Sequence, residues 1–587
     1  MWGIFGHGNV AGLGQALEEY GTDLPYLQGR NEQSMVHAAT AFAKATERRQ
    51  ALACTSSIGP GATNMVTGAA LATINRLPVL LFPGDVYATR HQGPVLQQLE
   101  HPLAGDVSVN DAFRPISRFF DRIQRPEQLL TALPEAMRVL TSPVEAGAVT
   151  IALPQDIQSH AFDFPAAFFE ERTWRIERAH PDSGRIAEAA ELLGAARRPL
   201  VVAGGGVIYA QAREELAAFA ARFGVPVAET FGGKGAIAAD DWFALGGLGL
   251  EGNPAANRIA AEADLVLCVG TRLTDFATAS QSLFQHPGVR FVAINVTDRD
   301  ARKEGALPVV ADAREALRAL AEAAVREPDP DYEREVREAR DAWREERRRA
   351  LTEQVEGEAM SQGQLIGVVN ELARPGDTVI SAAGGFPGDL LKTWDPTGGR
   401  TCHLEFGYSC MGYELPAGIG VRMAQPEGEV IVLIGDGTYL MNPTELVTAA
   451  QEGLKITVVI SENHGFQCIH RLQIAKAGRA FGNEFRARSD GRLAGDYLRL
   501  DLAATARGFG ARAWTAATPD ELRAALDEAR AEPGPSVIVA ETEPHRDLPG
   551  SGVWWDVAPA EVSGEPEVQG RRAEYERDRD RLQRFLG

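Results

Sequence analysis

Residues 429–466 read EVIVLIGDGTYLMNPTELVTAAQEGLKITVVISENHGF. Glu429 to Ile434 is a short β-branched, apolar run of the kind that becomes a buried parallel strand. Gly435-Asp436-Gly437 then stands at that strand's carboxyl end. Thr444 to Glu452 predicts a helix, with Leu446, Val447 and Ala450 at helical spacing, and Gly453 ends it. Ile456 to Ile460 is a second buried strand, running into Ser461-Glu462-Asn463. The stretch is therefore one βαβ unit, with an acid after one strand and an amide after the next.

In such a unit both strands end on the same edge of the sheet, where ligands of open α/β sheets bind. Asp436 and Asn463, 27 residues apart, can then converge on one ion. Both offer hard oxygens, and Mg²⁺ takes few protein ligands beside phosphate oxygens and water. Gly437, opening a loop into the helix, lets backbone approach a phosphate, and Gly465 leaves a carbonyl free as a third ligand. A bare Gly-Asp-Gly is also an ordinary strand-turn-helix with a capping Asp. The Asn at this distance, after a second apolar strand and before His464-Gly465, favours the metal reading.

This stretch resembles the cofactor signature of thiamine-diphosphate enzymes such as pyruvate decarboxylases and acetohydroxyacid synthases. The resemblance implies that Asp436, Asn463 and the Gly465 carbonyl hold Mg²⁺ on the diphosphate, with Gly435 and Gly437 beside it.

The rest of the composition fits a large metabolic protein. At 587 residues the chain is long enough for three or four domains. Its net charge of −21 leaves no basic footprint for nucleic acid or an anionic membrane. The five cysteines lack metal or disulfide spacing, which suits a reducing cytoplasm. Apolar runs such as Leu77 to Pro83 are too short to span a bilayer, and the N-terminus lacks the pattern of a signal peptide.

The predicted fold class is α/β, with three doubly wound parallel-sheet domains: 1–165 for the cofactor's pyrimidine, 181–325 in the middle, and 361–548 for the diphosphate and Mg²⁺. A charged helical linker (326–360) and a polar tail (549–587) complete the chain. Met1 to Phe5 reads as a strand running into Gly6-His7-Gly8-Asn9. Related enzymes carry a helix and the head of this strand upstream, so the expectation is a truncated start. A strand at Leu24 to Gln28 leads to Arg30-Asn31-Glu32, where Glu32 opens a helix whose Met35, Ala38, Ala39, Phe42 and Ala43 face a core. A Glu in a first helical turn is ordinarily a favourable charge at the dipole's positive end. The resemblance gives Glu32 another role, a hydrogen bond to the pyrimidine that makes the cofactor's amino group an internal base. Gly59-Pro60-Gly61 follows a strand at Gln50 to Ser56.

In the middle domain, Leu200 to Ala203, Val225 to Ala228, Asp264 to Val269 and Arg290 to Val296 read as strands. Gly204-Gly205-Gly206 reads as a structural turn, since three glycines without the dinucleotide fingerprint say little. Acetohydroxyacid synthases hold FAD in this domain, but FAD is not predicted here. Arg326 to Ala359 reads as a solvated helix. In the third domain, Thr378 to Ser381 is a strand and Gly384-Gly385-Phe386 a loop implied to touch the diphosphate. Phe406 to Glu414 enters a helix; Met411 is ordinary core filler by composition, whereas the resemblance makes it the wedge that bends the cofactor, with Ser409 beside it. Ser536 to Glu541 is expected to close the sheet. Trp554-Trp555 covers either a cleft or a subunit contact.

The stretches 5–12, 55–67, 94–100 and 407–414 narrow the resemblance to a branch of the family that opens a cyclic vicinal diketone by hydrolytic C–C cleavage, leaving a carboxylate at one end and an aldehyde at the other. Such a site needs groups that hand protons to water and substrate hydroxyls; His7, Asn9, Gln97 and Gln98 are candidates, ahead of His37, His91 and His464. The family builds its site between two subunits, so the expected partners are a small cyclic diketone and a second copy, as a homodimer or homotetramer. A carboligase of the acetohydroxyacid synthase or glyoxylate carboligase type, and a non-catalytic nucleotide-binding α/β protein, are the competing readings.

Overall fold

The computed structural model describes residues 1–91 and 93–585. Three six-stranded parallel sheets follow one another along the chain. The first holds β1 (Trp2–Gly3), β2 (Leu27–Gln28), β3 (Ala53–Ser56), β4 (Val79–Asp85), β5 (Phe119–Arg122) and β6 (Ala148–Pro154), in the order β2-β1-β3-β4-β6-β5. The second holds β7 (Pro199–Ala203), β8 (Val227–Glu229), β9 (Ala244–Gly247), β10 (Leu265–Val269), β11 (Arg290–Asn295) and β12 (Leu307–Val310), in the order β12-β11-β10-β7-β8-β9. In the third are β13 (Thr378–Ser381), β14 (Thr401–Leu404), β15 (Val430–Gly435), β16 (Thr457–Glu462), β19 (Arg512–Ala516) and β20 (Ser536–Glu541), ordered β14-β13-β15-β16-β20-β19. An antiparallel hairpin, β17 (Arg486–Ser489) and β18 (Arg492–Tyr497), stands apart. No helix among the described residues is long and apolar enough to cross a membrane.

The central strands form where both faces are covered, so their residues are apolar throughout: Val430 to Ile434 and Val458 to Ile460 are all buried. The first and third domains share a core. The Glu32–Ala45 helix buries ten of its 14 residues, and it packs on the Glu414–Ala424 helix so closely that a Cβ on Gly420 would sit 2.0 Å from the Ala38 carbonyl oxygen. Its start is fixed by Asn31, whose Oδ1 accepts from the backbone of Gln33 at 2.9 Å and Ser34 at 3.4 Å, a cap worth about 1 kcal/mol.

Several expectations change. Ser536–Glu541 is not the closing strand, because β19 pairs outside it; β9, β12 and β14 also extend the sheets beyond the strands expected. The segment after β15 is a helical turn, Asp436–Tyr439, rather than a loop, and the expected helix shrinks to Glu445–Gln451. The charged Pro330–Thr352 helix is not solvated all round: Tyr332, Val336, Ala339 and Trp343 form a stripe buried in the second domain's core. The tail carries a helix, Pro566–Leu582. Trp555 packs edge-on to Phe276 of the second domain and Trp554 stacks on Tyr575, so both close over their own chain.

Candidate active site

The parallel register of β15 and β16 sets Gly435 opposite Ser461, so the residues that follow emerge side by side. Asp436 is 2% exposed. Its Oδ1 accepts the Gly437 N–H at 2.6 Å, and the N–H groups of His464 and Gly465 also face it. These donors do not balance the loss of water: burial pushes the Asp436 carboxyl up to about 7, with Glu462 adding to the rise. Beside it the Asn463 Oδ1 is buried with no partner, although the Asn463 carbonyl accepts from Gln467 Nε2 at 2.7 Å. No hydrogen bond among the described residues ends on the Gly465 carbonyl. A carboxylate short of positive charge, an orphaned amide oxygen and a free carbonyl make a donor set suited to a hard cation. Gly465 is itself obligatory: its φ is +144° and a Cβ there would lie 2.4 Å from the Asn483 carbonyl oxygen.

Two neighbouring loops open on the same edge. Gly384, at φ +84°, has open space where a Cβ would stand, so a ligand can approach its backbone. Phe386, by contrast, turns its ring into the third domain's core; only the backbone of 384–386 is left for a ligand. The loop is held by Glu414, whose Oε1 accepts the Ala383 N–H at 2.9 Å. Burial raises the Glu414 carboxyl to about 7. The 406–411 loop hangs on Glu405, which accepts from Tyr408 N at 2.8 Å, Cys410 N at 3.3 Å and Asn75 Nδ2 at 2.8 Å. Ser409, at φ +52°, is exposed and Met411 half-buried. Asn442 Nδ2 donates to the Gly412 carbonyl at 2.9 Å, which ties Met411's loop to the chain leaving Asp436. No role was expected for Glu405 or Glu414; an acid entering a helix after Gly412-Tyr413 was the visible signal for the second.

A second cluster occupies the carboxyl edge of the first sheet. Glu32 is half-buried and accepts from Asn64 Nδ2 at 2.9 Å. The turn bearing Gly59 faces the 95–100 segment, since a Cβ on Gly59 would lie 2.4 Å from the Gln97 carbonyl oxygen. Gln98 is half-buried there and His7 exposed on the neighbouring turn, whose Gly8 abuts Ile58. Asn9 has another task than the one expected of it. It is 1% exposed, accepts the Gly6 N–H at 2.9 Å and donates to the Ile4 carbonyl and Thr55 Oγ1, both at 3.2 Å. Both amide hydrogens are engaged, so Asn9 shapes the turn that presents His7.

His37 is fully buried beside Cys410 and Gly412, and burial lowers its imidazole to about 4; it packs as a neutral ring. His91 is exposed, and His464 stacks on Tyr497 with ring centroids 4.5 Å apart. The two clusters touch within one chain through the Arg30 N–H, which donates to Glu445 Oε1 at 3.2 Å, and through Gln33 and Cys410 at 3.9 Å. No hydrogen bond or ion pair among the described residues joins Glu32 to Asp436, Asn463 or Gly465.

The Gly204–Gly206 turn serves close packing: a Cβ on Gly204 or Gly206 would meet the Gly270 backbone at 2.4 and 2.5 Å. Next to it lies a cavity of about 920 Å³ whose walls include Arg48, Arg76, Gly205, Arg272 and Phe406.

Three parallel sheets, with a buried carboxylate and an unpaired amide oxygen at the β15 and β16 tips, give an α/β fold with a candidate cofactor site at one sheet edge. The chain belongs to the thiamine pyrophosphate enzyme family: it matches the family's N-terminal TPP binding domain over residues 1–104, its central domain over 186–320 and its C-terminal TPP binding domain over 382–540. It is 46% identical to the 3D-(3,5/4)-trihydroxycyclohexane-1,2-dione hydrolases of Bacillus cereus (strain AH820) and Bacillus anthracis, each alignment covering 99% of this chain and 94% of the relative. To the protein of the same name from Bacillus thuringiensis (strain Al Hakam) it is 45% identical over the same shares.

Proposed function

We propose that this protein is a Mg²⁺- and thiamine-diphosphate-dependent hydrolase that opens the ring of trihydroxycyclohexane-1,2-dione to 5-deoxy-glucuronate, a cytoplasmic step of myo-inositol catabolism. The observation that carries the reading is the pairing of near full-length likeness to hydrolases of that name with a buried Asp436 carboxylate that no cation among the described residues pairs with, beside an Asn463 Oδ1 that has no partner. Asp436, Asn463 and the Gly465 carbonyl would hold the ion, and the backbone of Gly384, Gly385, Gly435 and Gly437 would meet the diphosphate. Ser409 and Met411 would line the pyrimidine side. When bound, the cofactor supplies a carbon nucleophile for one carbonyl and takes up the electron pair released as the ring C–C bond breaks. Glu32 would hold and return the proton exchanged with the cofactor's pyrimidine. His7, on the turn that Asn9 braces, and Gln98, on the segment facing Gly59, would orient water and substrate hydroxyls.

The working unit in this reading is a homodimer or homotetramer. Leu96, Leu99 and Leu103 stand exposed in and just beyond the segment that faces Gly59, and Leu440 and Met441 directly after the Asp436–Tyr439 turn; exposed apolar side chains of this kind favour cover by another copy. The test is ring opening of the cyclic diketone with and without cofactor and Mg²⁺, in the wild type and in Glu32→Gln. Cofactor-dependent hydrolysis that Glu32→Gln abolishes is the expected result. Acetolactate from pyruvate, or tartronate semialdehyde from glyoxylate, as the main product would replace it with a carboligase.

A further inference from the structure

Outside the candidate active site, two histidines and a glutamate converge where three segments meet. His470 lies early in the Gln467–Ala477 helix, Glu484 just before the β17–β18 hairpin, and His545 shortly after β20. One ligand-capable atom from each lies within 4.8 Å of the others. The two imidazoles stack with centroids 5.0 Å apart and planes 29° from parallel, and His545 Nε2 is 3.6 Å from Glu484 Oε1.

The neighbours of this cluster leave it unfinished. His470 is only 9% exposed, its Nδ1 is buried without a partner, and no hydrogen bond among the described residues reaches its ring. Leaving a buried polar atom unpaired costs about 1–3 kcal/mol, so an occupant that takes a nitrogen lone pair is favoured. Glu484 is already oriented. Arg486 Nε donates to its Oε2 at 2.7 Å and the Tyr497 hydroxyl to its Oε1 at 2.6 Å. Partners of this kind fix a ligating carboxylate in metal sites.

The geometry points to a second metal site, in which His470, Glu484 and His545 bind a divalent transition ion of the Zn²⁺ class, with water in the open position. Two imidazoles and one carboxylate suit Zn²⁺, which takes nitrogen and oxygen ligands at about 2.0–2.2 Å; Mg²⁺ and Ca²⁺ prefer all-oxygen shells. The ion would tie the helix, the hairpin and the exit of β20 together. It would also steady the edge of the other site, because Gly465 bridges to Glu484, Phe466 N donates to the Asn483 carbonyl and Phe485 N to the His464 carbonyl, both at 2.8 Å.

The full chain, stripped with a chelator and saturated with Mg²⁺, is titrated with Zn²⁺ by calorimetry and followed by thermal melting. One equivalent of Zn²⁺ per chain that excess Mg²⁺ does not displace, with a rise in Tm, is expected for the wild type and for Asp436→Asn. His470→Gln and His545→Ala should lose both, and Tyr497→Phe should bind roughly tenfold more weakly. His545 is half exposed, so His545→Ala tests the site even where His470→Gln fails to fold. Equal binding by His545→Ala and the wild type overturns the proposal. So does Zn²⁺ binding that disappears only in Asp436→Asn, which would assign the ion to the active site.

Discussion

Gly465→Ala isolates the Gly465 carbonyl from the rest of the fold. The substitution meets two obstacles. A φ of +144° is a conformation that residues with a β-carbon avoid, at about 1–3 kcal/mol. The added Cβ would also lie 2.4 Å from the Asn483 carbonyl oxygen and 2.8 Å from the Glu484 Cα, backbone atoms that cannot rotate away, and forced contacts of this kind cost about 1–3 kcal/mol. Even the lower ends together give about 2 kcal/mol. Because the strain falls on a ligand-facing loop, the loop should shift while the sheet stays folded. About 2 kcal/mol corresponds to roughly 30-fold weaker binding of thiamine diphosphate with Mg²⁺, measured by calorimetry alongside Tm. Two controls set the scale. In Gly437→Ala the Cβ meets the Phe466 ring at 2.6 Å, a side chain rather than backbone, and in Gly435→Ala nothing lies within 4 Å. Both should leave the stability of the ligand-free protein within about 1 kcal/mol. Gly465→Ala binding the cofactor as tightly as the wild type would refute the placement of the ion at this carbonyl.

Three further outcomes are expected. Burial raises the Asp436 carboxyl to about 7, so the ligand-free fold holds that proton more tightly than the unfolded chain does; this contribution to stability is present in acid and lost as pH rises through 7. Asp436→Asn should therefore raise the Tm of the ligand-free protein at pH 8 more than at pH 5 while abolishing Mg²⁺-dependent cofactor binding; a lower Tm at pH 8 would contradict the assignment. Gel filtration with light scattering should give a dimer or tetramer, and an active monomer would overturn the two-copy site. Trp343→Ala should cost about 3–5 kcal/mol in denaturant unfolding, because Trp343 is 6% exposed in the second domain's core; a loss under 1 kcal/mol would restore the solvated-linker reading.

What the sequence made legible follows from where each residue's partners lie. β15 and β16 were readable because strands buried on both faces are apolar without interruption, and the acid and amide after them stand out against that background. The edge strands were not: Ala244-Leu245-Gly246-Gly247 and Thr401-Cys402-His403-Leu404 are covered on fewer sides and carry glycine or polar residues. The Pro330–Thr352 helix was misread through its charge density, although Tyr332, Val336, Ala339 and Trp343 recur at core spacing. Asn9 was misread in the other direction, since an amide in a glycine turn looks available until Thr55 and the Ile4 carbonyl are seen to hold it. Glu405 and Glu414 differ again. Their partners are mostly backbone N–H groups, which every residue type supplies, so no spacing could announce them. The same holds for His470, Glu484 and His545, which stand 14 and 61 residues apart in the chain and share no local motif. An acid and an amide carried on one βαβ unit can be read along a line, whereas a cluster assembled from a helix, a hairpin and a strand exit exists only once the third sheet has folded.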